Sequence, residues 1–307
     1  MTNISERTLA SIVSEKYQTV PVLEKYNLDF CCKGKRTLSE ACIEKGLPTD
    51  AISKELEAIS DIEYKPHMPF IEMDAEQLIN HILTHHHFNI KQSMPSIMSH
   101  LEKVATKHGN SHFYMLKVRL LFSEIKEEMT MHMQKEEQLL FPRIKEIEAM
   151  FTQNKKVTLT DGFIRLPVNM METEHDHAGA IMNNIRQLTN NYSAPVDACT
   201  TFKLSLAELK EFEEDLHRHV HLENNLLFPL AKKNVSTNYI TITSLNKKRS
   251  KNLILLLYTN SCNSCFIPLH QNSLPLLLSS AIRILLYYLR SYFQIHANLY
   301  LQGYDDR

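Results

Sequence analysis

The sequence predicts an all-α protein: a four-helix bundle, preceded by a small helical domain and followed by a tail of unassigned fold. Three observations carry this. Glycine is scarce, six in 307 residues, too few for a protein of sheets and tight turns. Long stretches over residues 74–106, 113–150, 169–191 and 197–232 repeat apolar side chains at helical spacing. One unit, a histidine followed by His-x-x-x-Glu, is written twice. His132-Met-Gln-Lys-Glu136 and His219-Val-His-Leu-Glu223 lie 87 residues apart, and each runs on into Leu-Leu-Phe-Pro. His87 and His175 stand 45 and 44 residues upstream of the two copies.

The elements follow in order. Residues 1–60 read as a small helical domain. Thr8–Tyr17 and Val20–Tyr26 give two short helices, and Asn27–Gly34 is a turn carrying the adjacent thiols Cys31 and Cys32. Thr37 with Glu40 three residues later is a capping box, and Gly46 is the matching stop. Pro48–Ile59 is a further helix. Pro66 and Pro69 make 61–73 a linker. Asp74 opens the first bundle helix, which holds His87 and which Pro95 is expected to kink. His108-Gly109-Asn110 is a loop. The second helix carries His132 and Glu136, with Pro142 kinking or re-capping it. Residues 152–168, with Asp161-Gly162 and Pro167, read as the connection between repeats. The third helix carries His175, and the fourth carries His219 and Glu223. Two hairpins of this kind, over 74–233, make a bundle.

The tail, 234–307, differs in kind. Glutamate is absent after Glu223, and the segment holds seven Lys/Arg against two Asp, so it is +5 while residues 1–233 are −6. Leu274–Leu289 is apolar but short for a membrane span and is interrupted by Arg283. Cys262 and Cys265 have a two-residue thiol spacing without the second pair that a zinc site needs. The overall charge of −1 offers no basic face for nucleic acid. Met1–Arg7 shows no charged-then-apolar secretory signal, and the six cysteines form no regular framework. A cytoplasmic setting with reduced thiols is expected.

The repeat points to metal chemistry. Residues four apart on a helix share a face, about 5–6 Å apart at Cβ. His132 with Glu136, and His219 with Glu223, can therefore each offer an imidazole and a carboxylate to one point. His87 and His175 add one imidazole from the other helix of each hairpin. Two histidines per metal, with both glutamates spanning the pair, form a two-metal site of the iron or manganese type that needs no thiolate.

A lone His-x-x-x-Glu is ordinarily a surface pair. Here both copies keep His and Glu while Met133/Val220 and Gln134/His221 vary. His85, His86 and His87 are adjacent, and repeat spacing selects His87, with His86 as its competitor. His217 and His221 fall on the side opposite His219 and read as solvated. His177, about 200° round the helix from His175, also reads as outside. His81, His100, His108 and His112 have no repeat partner. Glu137 has Asn224 as its counterpart, which argues against a ligand role, while Glu174 is a candidate for supporting a ligand from behind.

At these residues the chain resembles the hemerythrin-like di-iron proteins and, more narrowly, the repair of iron centres family. The narrow match rests on Asp29-Phe-Cys-Cys-Lys-Gly34, Met131–Glu137, Glu174-His-Asp176, Ala198-Cys-Thr-Thr201 and His221–Asn225 running to Phe228-Pro229. It covers residues 1–233; the tail is extra. The resemblance implies a hemerythrin-like bundle whose ligands are His87, His132, Glu136, His175, His219 and Glu223. It implies two non-haem iron ions, oxo- or hydroxo-bridged, in a cytoplasmic stress protein that restores iron–sulfur clusters damaged by nitric oxide or peroxide. Candidate partners are damaged or apo iron–sulfur proteins, nitric oxide or oxygen, and a second copy of the chain. Cys31 and Cys32 are expected to dock over the di-iron centre or to take part in redox or iron transfer. Nitric oxide reduction and reversible oxygen or nitric oxide binding are the competing readings. Four aligned histidines, without a fifth, favour iron donation over oxygen carriage.

Overall fold

The computed structural model describes residues 3–60, 70–152 and 162–237. These residues are helical throughout, with one isolated antiparallel bridge between Thr8 and Thr37 and no β-strand among them. The small domain contains α1 (Leu9–Glu15), α2 (Val20–Lys25), α3 (Leu38–Lys45) and α4 (Thr49–Ser60). Its helix ends are set locally. Thr8 Oγ1 accepts from Ser11 N, Thr37 and Glu40 close the expected capping box, and Gly46 ends α3 at φ 64. Leu9, Leu23, Leu38, Ile52 and Leu56 are fully buried.

The bundle begins with a capping box between Asp74 and Gln77. The first hairpin is α5 (Ala75–His81), a π-helical turn (Ile82–His87) and α6 (Phe88–His108), returning as α7 (Tyr114–Lys135), a π turn (Glu136–Leu140) and α8 (Phe141–Thr152). The second is α9 (Gly162–Leu188), returning as α10 (Thr200–Leu222), a π turn (Glu223–Leu227) and α11 (Phe228–Thr237). Helix α6 packs on α7 and α10, and α7 on α9.

The interior is divided. One apolar cluster joins the small domain to the α6–α7–α9–α10 half of the bundle, with Phe122 edge-on to Phe212 at 5.3 Å. A second cluster gathers Leu78, Ile82, Leu140, Phe141, Ile164, Val168, Leu227 and Phe228 at the other end. Large side chains buried this way contribute about 1.5–3 kcal/mol each. Along the chain, His87, Glu136 and His175 fall where one cluster gives way to the other.

Two boundaries differ from the sequence reading. The third bundle helix begins at Gly162, not 169, so Pro167 sits inside it. Buried Ile164 and Val168 favour helix there. The carbonyl of Phe163, which Pro167 cannot bond, accepts from Arg143 Nη1 at 3.4 Å. The fourth helix starts at Thr200 rather than 197. The expectations for Cys262, Cys265 and Leu274–Leu289 fall outside the described residues. No described helix is long and apolar enough to cross a membrane.

Candidate metal centre

The six residues selected by spacing are all buried, and they meet. His87, Glu136, His219 and Glu223 form one group and His132, Glu136, His175 and Glu223 a second; within each, the ligand atoms lie within 4.8 Å of one another. Both glutamates belong to both groups. His87 Nε2 and His219 Nε2 are 3.2 Å apart, and His132 Nε2 and His175 Nε2 are 3.0 Å apart. Ligand bonds of about 2.1 Å would put neighbouring donors of one ion about 3 Å apart, so both separations fit. His86 belongs to neither group.

Three of the four rings are fixed from behind. His87 Nδ1 donates to Glu137 Oε1 (2.7 Å), His132 Nδ1 to Glu174 Oε2 (2.9 Å), and His175 Nδ1 to Asn224 Oδ1 (2.9 Å). A proton held on Nδ1 leaves Nε2 its lone pair and turns it inward, the state in which imidazole binds metal. Lys91 and Lys135 neutralise Glu137 and Glu174. His219 Nδ1 is buried and has no hydrogen-bond partner among the described residues.

The carboxylates test whether a cation fits. Glu136 and Glu223 are 0 % exposed, yet both Glu136 oxygens and Glu223 Oε2 have no hydrogen-bond partner among the described residues. The nearest groups are imidazole nitrogens, with His132 Nε2 and His87 Nε2 at 3.3 and 3.4 Å from Glu136 Oε2 and His175 Nε2 at 3.2 Å from Glu223 Oε2. Burying carboxylates is costly unless positive charge answers them, so the donor set fits a cation. Burial and Glu223 push Glu136 up, but His132 and His87 prevail and hold it down at about 2. Burial works to lower His132, and Glu136 outweighs it, carrying the ring to about 10. Glu223 is likewise held well below the usual carboxylate range by His219 and His175, against burial.

Three of the six candidate ligands sit at π turns: His87 closes one, and Glu136 and Glu223 open the others. A π turn takes one extra residue and is common at functional sites. Pro142 and Pro229 follow two of these turns and remove the N–H that would continue the α-helical ladder there.

The remaining candidates fall out as follows. Glu174 and Glu137 lie outside both groups and hydrogen-bond the Nδ1 atoms of His132 and His87 from behind. Asn224 supports His175, a role the sequence reading missed; its signal was the 87-residue repeat, which places it opposite Glu137. His177 is more than half exposed, beside Glu124 and Glu128. His217 and His221 are not solvated as expected. Phe30 of the small domain covers both rings, at 6.1 and 5.7 Å, and His221 is 1 % exposed. That face of α10 is buried by a domain remote in sequence, which helical periodicity cannot reveal.

The Cys31 and Cys32 turn docks on the same ground. Asp29 Oδ1 accepts from the backbone nitrogens of Cys31, Cys32 and Lys33. Asn225, two residues past Glu223, donates its Nδ2 to Cys31 O at 3.0 Å. The thiols are free, 3.9 Å apart. The hydrogen bond to Cys32, then burial, pushes the Cys31 thiol well up.

A helical bundle with a buried layer of four imidazoles and two shared carboxylates defines the hemerythrin class of cation-binding proteins. A family model described as the hemerythrin HHE cation binding domain matches residues 78–231, and one described as a domain of unknown function matches residues 5–60. Iron–sulfur cluster repair protein YtfE of Cronobacter sakazakii is 35% identical over 68% of this chain and 89% of its own length. Its namesake in Enterobacter sp. (strain 638) is 32% identical over 74% and 96%, and that of Escherichia coli O81 is 33% identical over 68% and 89%. The chain belongs to this hemerythrin-like repair family.

Proposed function

We propose that the protein restores damaged iron–sulfur clusters by donating iron from a labile, oxygen-bridged pair of non-haem irons. His87 and His219 would hold one ion and His132 and His175 the other, with Glu136 and Glu223 common to both groups. The observation that carries this reading is the fully buried pair of glutamates whose oxygens meet four inward-turned Nε2 atoms within 4.8 Å. The relatives named as cluster repair proteins point the same way.

The chain's own groups favour release. Two ferrous ions bring four positive charges to two carboxylates. The next carboxylates out, Glu137 and Glu174, are already matched by Lys91 and Lys135. With a hydroxo bridge the buried centre would be left one charge positive, which is costly, so ferrous iron is held loosely. When bound, the iron pair supplies exchangeable ferrous ions. The residues hold and orient them, and the apolar clusters on either side exclude water. Cys31 and Cys32, tied to the Glu223 turn through Asn225, are the proposed transfer or redox thiols.

The test is anaerobic. Iron-loaded protein is mixed with an apo iron–sulfur protein, and cluster absorbance and nitrous oxide are followed together. Cluster absorbance grows as bound iron falls, and the double substitution Cys31→Ala, Cys32→Ala impairs restoration while two irons stay bound. Iron that stays put, or nitrous oxide formed from nitric oxide without cluster restoration, overturns the reading in favour of a gas-binding or nitric oxide-reducing protein.

A further inference from the structure

His86 is a fifth buried histidine beside the centre. It is 5 % exposed, and its Nδ1 donates to Asp215 Oδ1 at 2.8 Å. That is the wiring of His87 and His132: a carboxylate behind Nδ1 and a free lone pair on Nε2. His86 Nε2 is buried and has no hydrogen-bond partner among the described residues, and the same holds for Asp215 Oδ2.

The internal duplication shows how this arose. The offset that carries His87 onto His175 carries His86 onto Glu174. On one side Glu174 supports His132. On the other, His86 does not bond His219 but stacks on it, with ring centroids 5.7 Å apart and planes 8° from parallel. So the two halves of the centre are unequal. His132 has a charged support, whereas His219 Nδ1 has no hydrogen-bond partner among the described residues and has the His86 ring alongside.

The series continues outward. His81 is edge-on to His86 at 5.6 Å and stacks on His85 at 4.2 Å. His81 is half-buried and His85 is exposed.

We propose that His86, oriented by Asp215, is a receiving ligand for the iron held by His87 and His219, and that His81 and His85 carry that iron on to the surface. This rests on the two-iron reading above. The step is ligand exchange alone: the lone pair of His86 Nε2 replaces that of His219 Nε2 on the ferrous ion. The proton of His86 stays on Nδ1, hydrogen-bonded to Asp215 Oδ1, and no electron moves. Asp215 Oδ2 contributes negative charge along the path.

The experiment is anaerobic loading with ferrous iron, metal analysis, and then release to a colorimetric ferrous chelator. Wild-type protein gives two irons and two release phases. His86→Phe keeps the ring stack and removes both nitrogens. It is expected to hold two irons and to slow the faster phase about tenfold or more; His81→Phe and Asp215→Asn slow the same phase less. Two irons released from His86→Phe at the wild-type rate or faster overturn the relay alone. Fewer than two irons in His86→Phe overturn it as well, by making His86 a resident ligand. Wild-type protein that binds no iron overturns the underlying reading, and the relay with it.

Discussion

Glu174→Gln probes the support behind one half of the centre. Glu174 accepts the Nδ1 proton of His132 at 2.9 Å and pairs with Lys135. Negative charge behind an imidazole raises its basicity toward a metal. Losing such a partner costs about 10–100-fold in affinity, or about 1.4–2.7 kcal/mol. Glutamine keeps an oxygen for the Nδ1 proton and loses only the charge, so the loss should sit near tenfold. Alanine leaves Nδ1 with nothing, and the loss should approach a hundredfold. The effect should be confined to the ion on His132 and His175, because His87 leans on Glu137 instead. Anaerobic calorimetric titration with ferrous iron reads both steps. The tighter step weakens in the Glu174 variants and the other is kept, while Glu137→Gln gives the reverse. If Glu174→Ala binds both ions as tightly as wild type, or if either variant weakens both steps equally, the assignment of one ion to each histidine pair is refuted.

Other consequences can be measured directly. Arg186→Met strips Glu213, 3 % exposed, of its guanidinium and leaves it Tyr192. Breaking a buried pair in this way costs about 3–5 kcal/mol, and a loss below about 1 kcal/mol in urea denaturation would show the pair to be screened. Phe122→Ala opens a cavity beside Phe212 and should cost about 3–5 kcal/mol, read from the same curves. Burial raises Glu24 to about 7, with Arg218 opposing and Glu214 and Glu213 adding to it. Since its folded value lies above the unfolded one of about 4.3, the folded state binds the proton more readily, and stability declines as pH rises from about 4.3 to 7. Glu24→Gln should flatten that decline in metal-loaded protein; an unaltered profile speaks against it. Chelation should lower the melting temperature, because the bare oxygens of Glu136 and Glu223 lose the cation that offsets their burial.

Much of the centre was legible in sequence because duplication is a strong filter. Six side chains repeated at matched spacing on helices can be placed on one inward face by counting alone, and the structure brings those six together. The helix caps at Thr37 and Gly46 were equally readable, since capping is settled within four residues. What was missed lies where distant segments meet. The burial of His221 depends on Phe30, 191 residues away. The helical start at Gly162 depends on Arg143 supplying the bond that Pro167 cannot. The π turns at His87, Glu136 and Glu223 shift the helical register by one residue, which a fixed 3.6-residue count does not anticipate.

Those turns bear on how the bundle can open. Where the backbone ladder changes its bonding step, the rods on either side are no longer a single cooperative spring. The segments that pack Leu78, Phe141 and Phe228 form a separate apolar cluster from those that pack Phe122 and Phe212, so the two ends need not open together. Fraying of the smaller end would bring solvent to the imidazole layer without melting the chain, so an ion could depart at far less cost than global unfolding.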